Sequence, residues 1–165
     1  MKRRVAILGA TGIVGQRFIS LLYNHPWFEI ELLMSSDKSS GKNYGETAKW
    51  VIEHPLPSSI ADLILRPLDP ELIIKEKIDI VFTALPTDVA VKIESELAKR
   101  GVIVISNSSN MRLEPDIPLI VPEINAEHIE VIDYQRKNRG WSGFIVKIPN
   151  CTTIILTLSL KPLID

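Results

Sequence analysis

Cysteine occurs once in these 165 residues, at position 151, so no intrachain disulfide can form and a reducing, cytoplasmic setting is expected. An excess of either charge is missing too. Nineteen Lys and Arg stand against 20 Asp and Glu, a net charge of −1, which leaves no electrostatic footprint for nucleic acid or a membrane surface. The apolar run after Met1-Lys2-Arg3-Arg4 breaks at Gly9, too soon for a signal peptide or a membrane span. Internal repeats and low-complexity segments are absent. With 45% apolar and 24% charged residues, neither a disordered nor a fibrous chain is indicated. The length suits one domain, or one domain with the start of a second.

What is present is an alternation of β-branched apolar runs with helix-length stretches, the pattern of parallel strands joined by crossover helices. Strands are expected near Val5–Leu8, Glu29–Met34, Leu63–Arg66, Ile80–Thr83, Val102–Ser106, Leu119–Val121 and Phe144–Ile148. Between them, Val14–Tyr23 carries a helical apolar stripe. Asp69-Pro70 provides a cap and a first-turn proline for a short helix through Lys77. Thr87–Arg100 reads as an amphipathic helix stopped at Gly101, and Asn125 is a candidate cap for a helix through about Asn138. Ser35–Gly45 reads as a long loop, with proline-marked breaks at His54–Pro57 and Glu114–Pro118. The fold class expected is α/β, a Rossmann-type doubly wound, mostly parallel sheet.

Gly9-Ala10-Thr11-Gly12-Ile13-Val14-Gly15 joins the first strand to the first helix. In that context glycines mark a dinucleotide fingerprint, here one residue longer than the usual spacing. Gly9 permits the tight turn, Gly12 lets backbone approach a pyrophosphate, and Gly15 lets the helix pack closely. An NAD-preferring site places a carboxylate at the end of the second strand, about 20 residues on. Here the strand ends Leu33-Met34-Ser35-Ser36, followed by Lys38, Ser39 and Lys42. These small hydroxyl and basic residues suit a 2′-phosphate, so NADP is the expected cofactor, with Asp37 as a feature that weakens the preference.

Cys151 stands at another strand-to-helix junction, Pro149-Asn150-Cys151-Thr152-Thr153. At a helix N-terminus, unpaired N–H groups and the helix dipole favour a thiolate, the nucleophilic form. A lone cysteine is otherwise a small buried hydrophobe. A nicotinamide site and a nucleophilic thiol in one chain together suggest oxidation of an aldehyde through a thioester, or its reverse.

Six segments recur in order and spacing: Gly9–Gly15, Ser36–Lys42, Ala84–Ala90, Ser106–Ser108, Val121–Asn125 and Pro149–Thr153. Through them the chain resembles aspartate-semialdehyde dehydrogenase, in the branch typical of archaea and fungi. The resemblance implies NADPH-dependent reductive dephosphorylation of 4-aspartyl phosphate to aspartate 4-semialdehyde, on the route to lysine, threonine, methionine and isoleucine. It implies Cys151 as nucleophile, Asn150 as a residue positioning the thioester or nicotinamide, and Arg112 as the binder of the substrate phosphate. Thr11, Gly12, Ile13 and Val14 would line the pyrophosphate. Ser36, Lys38 and Ser39 would lie near the adenosine phosphate, and Leu85, Pro86 and Asn107 would lie at strand ends facing the cofactor. No metal is implied. Two departures stand out: Lys38 replaces the family's usual arginine, and Lys147-Ile148 replaces a small polar pair.

The family's chains are about twice this long. Residues 1–150 are therefore expected to form the NADP-binding domain and 151–165 the cysteine helix leading into an absent α+β catalytic and dimerisation domain. The general base would lie there, because His25, His54 and His128 read as surface or structural residues. The piece would be nearly inactive alone and a homo-oligomer at full length. Its partners would be small molecules, an acyl phosphate or aldehyde and inorganic phosphate, and neither nucleic acid nor membrane. The alternatives are a malonyl-CoA or succinyl-CoA type reductase on the same scaffold, or a noncatalytic NADP-binding module with Cys151 inert.

Overall fold

Val5, Ala6, Ile7 and Leu8 are completely buried, a continuous apolar run rather than an alternating one. That is the mark of a parallel strand covered on both faces. In the computed structural model, which describes residues Met1–Ile164, they form most of strand β1 (Arg3–Leu8). β1 pairs in parallel with β2 (Phe28–Ser35) on one side and β4 (Ile80–Thr83) on the other. The two-residue β3 (Arg66–Pro67) extends the β2 edge, giving the order β3-β2-β1-β4 within the first of two compact units, Met1–Leu85. Helix α1 (Ile13–Leu22) presents Ile19 and Leu22 to a core shared with Val5, Ile7, Leu33 and Tyr44. Three short helices complete the unit: α2 (Tyr44–Thr47), α3 (Ser58–Ala61) and α4 (Pro70–Lys75). In α4 the Asp69 carboxylate accepts from the Glu71 N–H at 2.9 Å, the expected cap.

The second unit begins at Pro86. Its helix α5 (Thr87–Lys99) buries Ala90, Ile93, Glu94, Leu97 and Ala98, a stripe of helical period that contains one carboxylate. Strand β5 (Ile103–Ser106) pairs in parallel with β6 (Phe144–Lys147), in register from Ile103 opposite Phe144 to Ser106 opposite Lys147. Helix α6 (Pro122–Asn125) passes into a 3-10 turn at Ala126–Glu130 and then α7 (Val131–Arg139), and α8 (Cys151–Leu160) follows β6. The end of α7 is tied to the segment that follows β5 by an ion pair whose carboxylate is buried. Arg139 donates through Nε and Nη2 to the two Asp116 oxygens at 2.6 and 2.5 Å, with Asn138 adding a third hydrogen bond. This fork holds the Asp116 carboxyl below its usual range.

Two local expectations are corrected and a third is refined. Leu119–Val121 is not a strand: Leu119 makes one isolated parallel bridge to Lys147. The prolines at 118 and 122 remove backbone donors on either side, and the Val121 N–H turns to the Asn125 side chain at 2.9 Å. Asn125 does stand at the N-cap of the helical stretch that begins at Ala126, but its side chain makes no cap bond there: it also ends α6, and its amide donates back to the Leu119 carbonyl at 2.9 Å. Of Leu63–Arg66 only Arg66 joins the parallel sheet, while Ile64 bridges antiparallel to Asn43. Asp165, the last residue of the expected terminal segment, lies outside the described residues. No helix among the described residues is long and apolar enough to cross a membrane.

Candidate cofactor and thiol sites

The glycine turn is held from below by buried side chains. Gly9 adopts φ +80°, open to glycine but not to most residues, and an added Cβ would lie 2.7 Å from the Ala84 carbonyl oxygen. The Gly9 and Ala10 N–H groups both donate to the Met34 carbonyl, at 3.0 and 3.1 Å. The Tyr44 hydroxyl donates to the Ala10 carbonyl at 2.9 Å, and Gln16 Nε2 donates to the carbonyls of Thr11 and Lys49 at 3.0 and 2.9 Å. Burial pushes the Tyr44 phenol above its ordinary range, so it stays a donor. Thus the carbonyls of the turn are tied inward, which leaves its other face for a ligand.

Gly12 and Gly15 differ in kind. A Cβ on Gly15 would lie 2.2 Å from the Gly9 carbonyl oxygen, so close packing of α1 on the turn demands glycine there. At Gly12 neither conformation nor space demands it. Its φ of −75° and ψ of 163° suit any residue, and an added Cβ would meet only the Gly9 oxygen at an ordinary 3.5 Å. Gly12 is also the N-cap of α1, a position where Ser, Asp or Asn would satisfy a first-turn N–H, and no side chain caps this helix. The N–H groups of the first turn are therefore left to an external acceptor. Beside them Ile13 is 72% exposed, an apolar side chain that nothing in the unit covers. These residues fit the pyrophosphate of a dinucleotide.

Leu85 is buried beside Gly9, its Cδ2 lying 3.5 Å from where a Gly9 Cβ would sit. Ser36, Asp37 and Lys38 are exposed on the turn after β2, and Ser39 is half-buried. Lys42 Nζ donates to the Lys38 carbonyl at 3.1 Å. In the second unit Pro86 stands exposed before α5. Asn107 follows β5 with its Oδ1 buried and lacking a hydrogen-bond partner. Arg112 folds back onto it, Nη2 donating to the Asn107 carbonyl at 2.6 Å.

Cys151 is exposed, the first residue of α8, so it is not the small buried hydrophobe that a lone cysteine otherwise is. Asn150 caps the helix, its Oδ1 accepting from the Thr153 N–H at 2.8 Å. The cap engages the third residue and leaves the N–H groups of Cys151 and Thr152 without helical acceptors. An oxyanion formed at the thiol would find donors there. His25 stacks on Phe28, and the His128 ring bonds the Asn125 amide.

Two residues escaped sequence reading as partners. Lys147 enters the motifs only as a departure and Glu94 lies outside them, yet Lys147 Nζ and Glu94 Oε2 pair at 2.5 Å with both side chains fully buried. The signal was available in each pattern: a carboxylate inside the apolar stripe of α5, and an ammonium ending the apolar strand β6. Opposite charges at two positions that ask for apolar residues imply each other.

Parallel strands, an uncapped glycine turn between β1 and α1, and a strand-end loop after β2 define a Rossmann-type dinucleotide-binding protein. More particularly, the chain belongs to the family described as semialdehyde dehydrogenase, NAD binding domain, whose model matches residues 4–132. It is 48% identical over all its 165 residues to aspartate-semialdehyde dehydrogenase of Archaeoglobus fulgidus, covering 47% of that protein. It is 40% identical to a malonyl CoA reductase (NADP) of Metallosphaera sedula, with 97% of the chain matched to 44% of the relative. Among solved structures, aspartate semialdehyde dehydrogenase with NADP from Candida albicans aligns with a TM-score of 0.87 at 43% identity, over 99% of this chain and 47% of that one. The chain thus spans about half the length of the relatives it matches.

Proposed function

We propose that this chain supplies the cofactor site and the nucleophile of an NADP-dependent aspartate-semialdehyde dehydrogenase, which converts 4-aspartyl phosphate to aspartate 4-semialdehyde in amino-acid biosynthesis. The observation that carries this reading is the placement of Cys151, exposed at the start of α8 with Asn150 as its cap. The Cys151 thiolate attacks the acyl carbon, a carbon–sulfur bond forms, and the carbon–oxygen bond to phosphate breaks. The backbone donors at the start of α8 stabilise the oxyanion. Arg112 holds the phosphate with its guanidinium. The glycine turn from Gly9 to Gly15 would hold the pyrophosphate of NADP, Ser36, Lys38 and Ser39 its adenosine phosphate, and Leu85, Pro86 and Asn107 the remainder. NADPH, when bound, would supply a hydride to the thioester carbon, and the carbon–sulfur bond would break to release the aldehyde and return Cys151 as thiolate.

The Metallosphaera relative supports a second reading, in which the acyl donor is a CoA thioester. The test joins this chain to the C-terminal half of the Archaeoglobus relative and follows NADP reduction by aspartate semialdehyde. Turnover should require inorganic phosphate, fail with CoA in its place, and favour NADP over NAD by at least about tenfold in kcat/KM, a differential of about 1.4 kcal/mol. Turnover with CoA but not phosphate would overturn the reading in favour of the second.

A further inference from the structure

The buried pair of Glu94 and Lys147 is embedded in a larger network of the second unit. Ser106, the register partner of Lys147, donates to Glu94 Oε1 at 2.5 Å. Its oxygen accepts from Lys147 Nζ at 2.8 Å and from the Ser108 N–H at 3.1 Å. Asn110 donates to Glu94 Oε2 at 2.8 Å. Such a pair is a weak source of stability, because apolar residues of the same volume commonly serve as well or better. Its presence therefore asks for another reason.

Arg112 supplies one. Its guanidinium returns to the carbonyl of Asn107, one residue past Ser106, and its Nε is buried with no hydrogen-bond partner. Its charge reaches Lys147: burial and the Arg112 charge both lower the proton affinity of that lysine, against the pull of Glu94. Asn110, two residues before Arg112, already bonds Glu94, so the two groups share one neighbourhood; a carboxylate left unpaired there would be a fork partner for the guanidinium, as Asp116 is for Arg139. Glu94, however, is already engaged by Lys147, Ser106 and Asn110.

We propose that Lys147 is a positioning residue for Arg112: by occupying Glu94 it keeps Arg112 out of an internal ion pair and leaves the guanidinium open to a phosphate group. The proposal rests on the reading of Arg112 as the phosphate-binding residue. It assigns a purpose to the one charged residue that replaces a small polar one before the cysteine motif. Lys147→Met frees the Glu94 carboxylate for Arg112, and removing that carboxylate as well restores the open guanidinium.

The test is calorimetric titration of the 165-residue chain with inorganic phosphate, for the wild type, Arg112→Ala, Lys147→Met, and Lys147→Met with Glu94→Gln. Phosphate affinity should fall at least about tenfold in Arg112→Ala and in Lys147→Met, about 1.4 kcal/mol, and return to within about threefold of wild type in the double variant. Recovery on removing a second buried group is a result that mere damage to the fold would not give. If Lys147→Met does not fold, the double variant carries the test, and weak phosphate binding by it overturns the proposal. Loss in Arg112→Ala with Lys147→Met unchanged overturns the role of Lys147 alone, as does a folded Lys147→Met whose loss the second change does not repair. Unchanged binding in Arg112→Ala, or none by the wild type, overturns the reading of Arg112 beneath it.

Discussion

Replacing Cys151 with serine lowers the phosphate-dependent activity of the chimera by at least about 10³-fold, the scale expected when a covalent nucleophile is removed. NADP affinity stays within about twofold. Serine keeps the size of the residue and the Asn150 cap, whose hydrogen bond goes to the Thr153 N–H and not to the side chain at 151. What is lost is the sulfur nucleophile, and a serine hydroxyl in its place is a far weaker one than a thiolate. Stopped-flow kinetics with aspartate semialdehyde, phosphate and NADP measure the first quantity, and calorimetry the second. Serine-variant activity near that of the wild type would remove Cys151 from the reaction.

Gly15→Ala should destabilise the chain by about 3 kcal/mol, the upper range for overpacking against atoms that cannot move aside. The obstacle is backbone: the new Cβ would sit 2.2 Å from the Gly9 oxygen and 2.8 Å from Ala10 Cα. Both atoms belong to the turn held by Tyr44 and Gln16. With a urea dependence of about 1–3 kcal/mol/M, the unfolding midpoint falls by at least about 1 M. A midpoint within experimental error of wild type would mean that α1 does not seat on the turn as described.

Much of this architecture was legible because local and tertiary preferences agree. The run Val5–Leu8 followed by glycine is both a good strand and a good turn, and the stripe of α5 names its own buried face. Where they disagree, reading failed for a physical reason. Leu119-Ile120-Val121 has strand composition, yet prolines on both sides and the Asn125 side chain that takes the Val121 N–H limit it to one isolated bridge. Asn125 stands at the cap position but its amide bonds Val121 and Leu119, because a short amide satisfies backbone groups in several geometries equally well. Glu94 and Lys147 each violate the local pattern, and only the pairing of β6 with β5, with α5 buried against them, shows one violation resolving the other. For the candidate site, the residue types were visible in the motifs, and the glycine spacing already set Gly12 toward a ligand and Gly15 toward packing. What the sequence did not carry was that Tyr44 and Gln16 hold the turn from beneath, since those bonds join atoms distant along the chain.

The distinction between the two glycines leads to the most direct test of the cofactor site. Serine is a better helix N-cap than glycine by a few tenths of a kcal/mol, and the backbone at position 12 accepts it without strain. Its hydroxyl would satisfy an N–H of the first turn of α1 and occupy the space a pyrophosphate needs. Calorimetric titration of Gly12→Ser with NADP, beside urea unfolding of the same variant, separates fold from function. The account predicts an unfolding midpoint equal to or above wild type and an NADP affinity at least about tenfold weaker, about 1.4 kcal/mol. Undiminished NADP binding by a stably folded Gly12→Ser chain would contradict it.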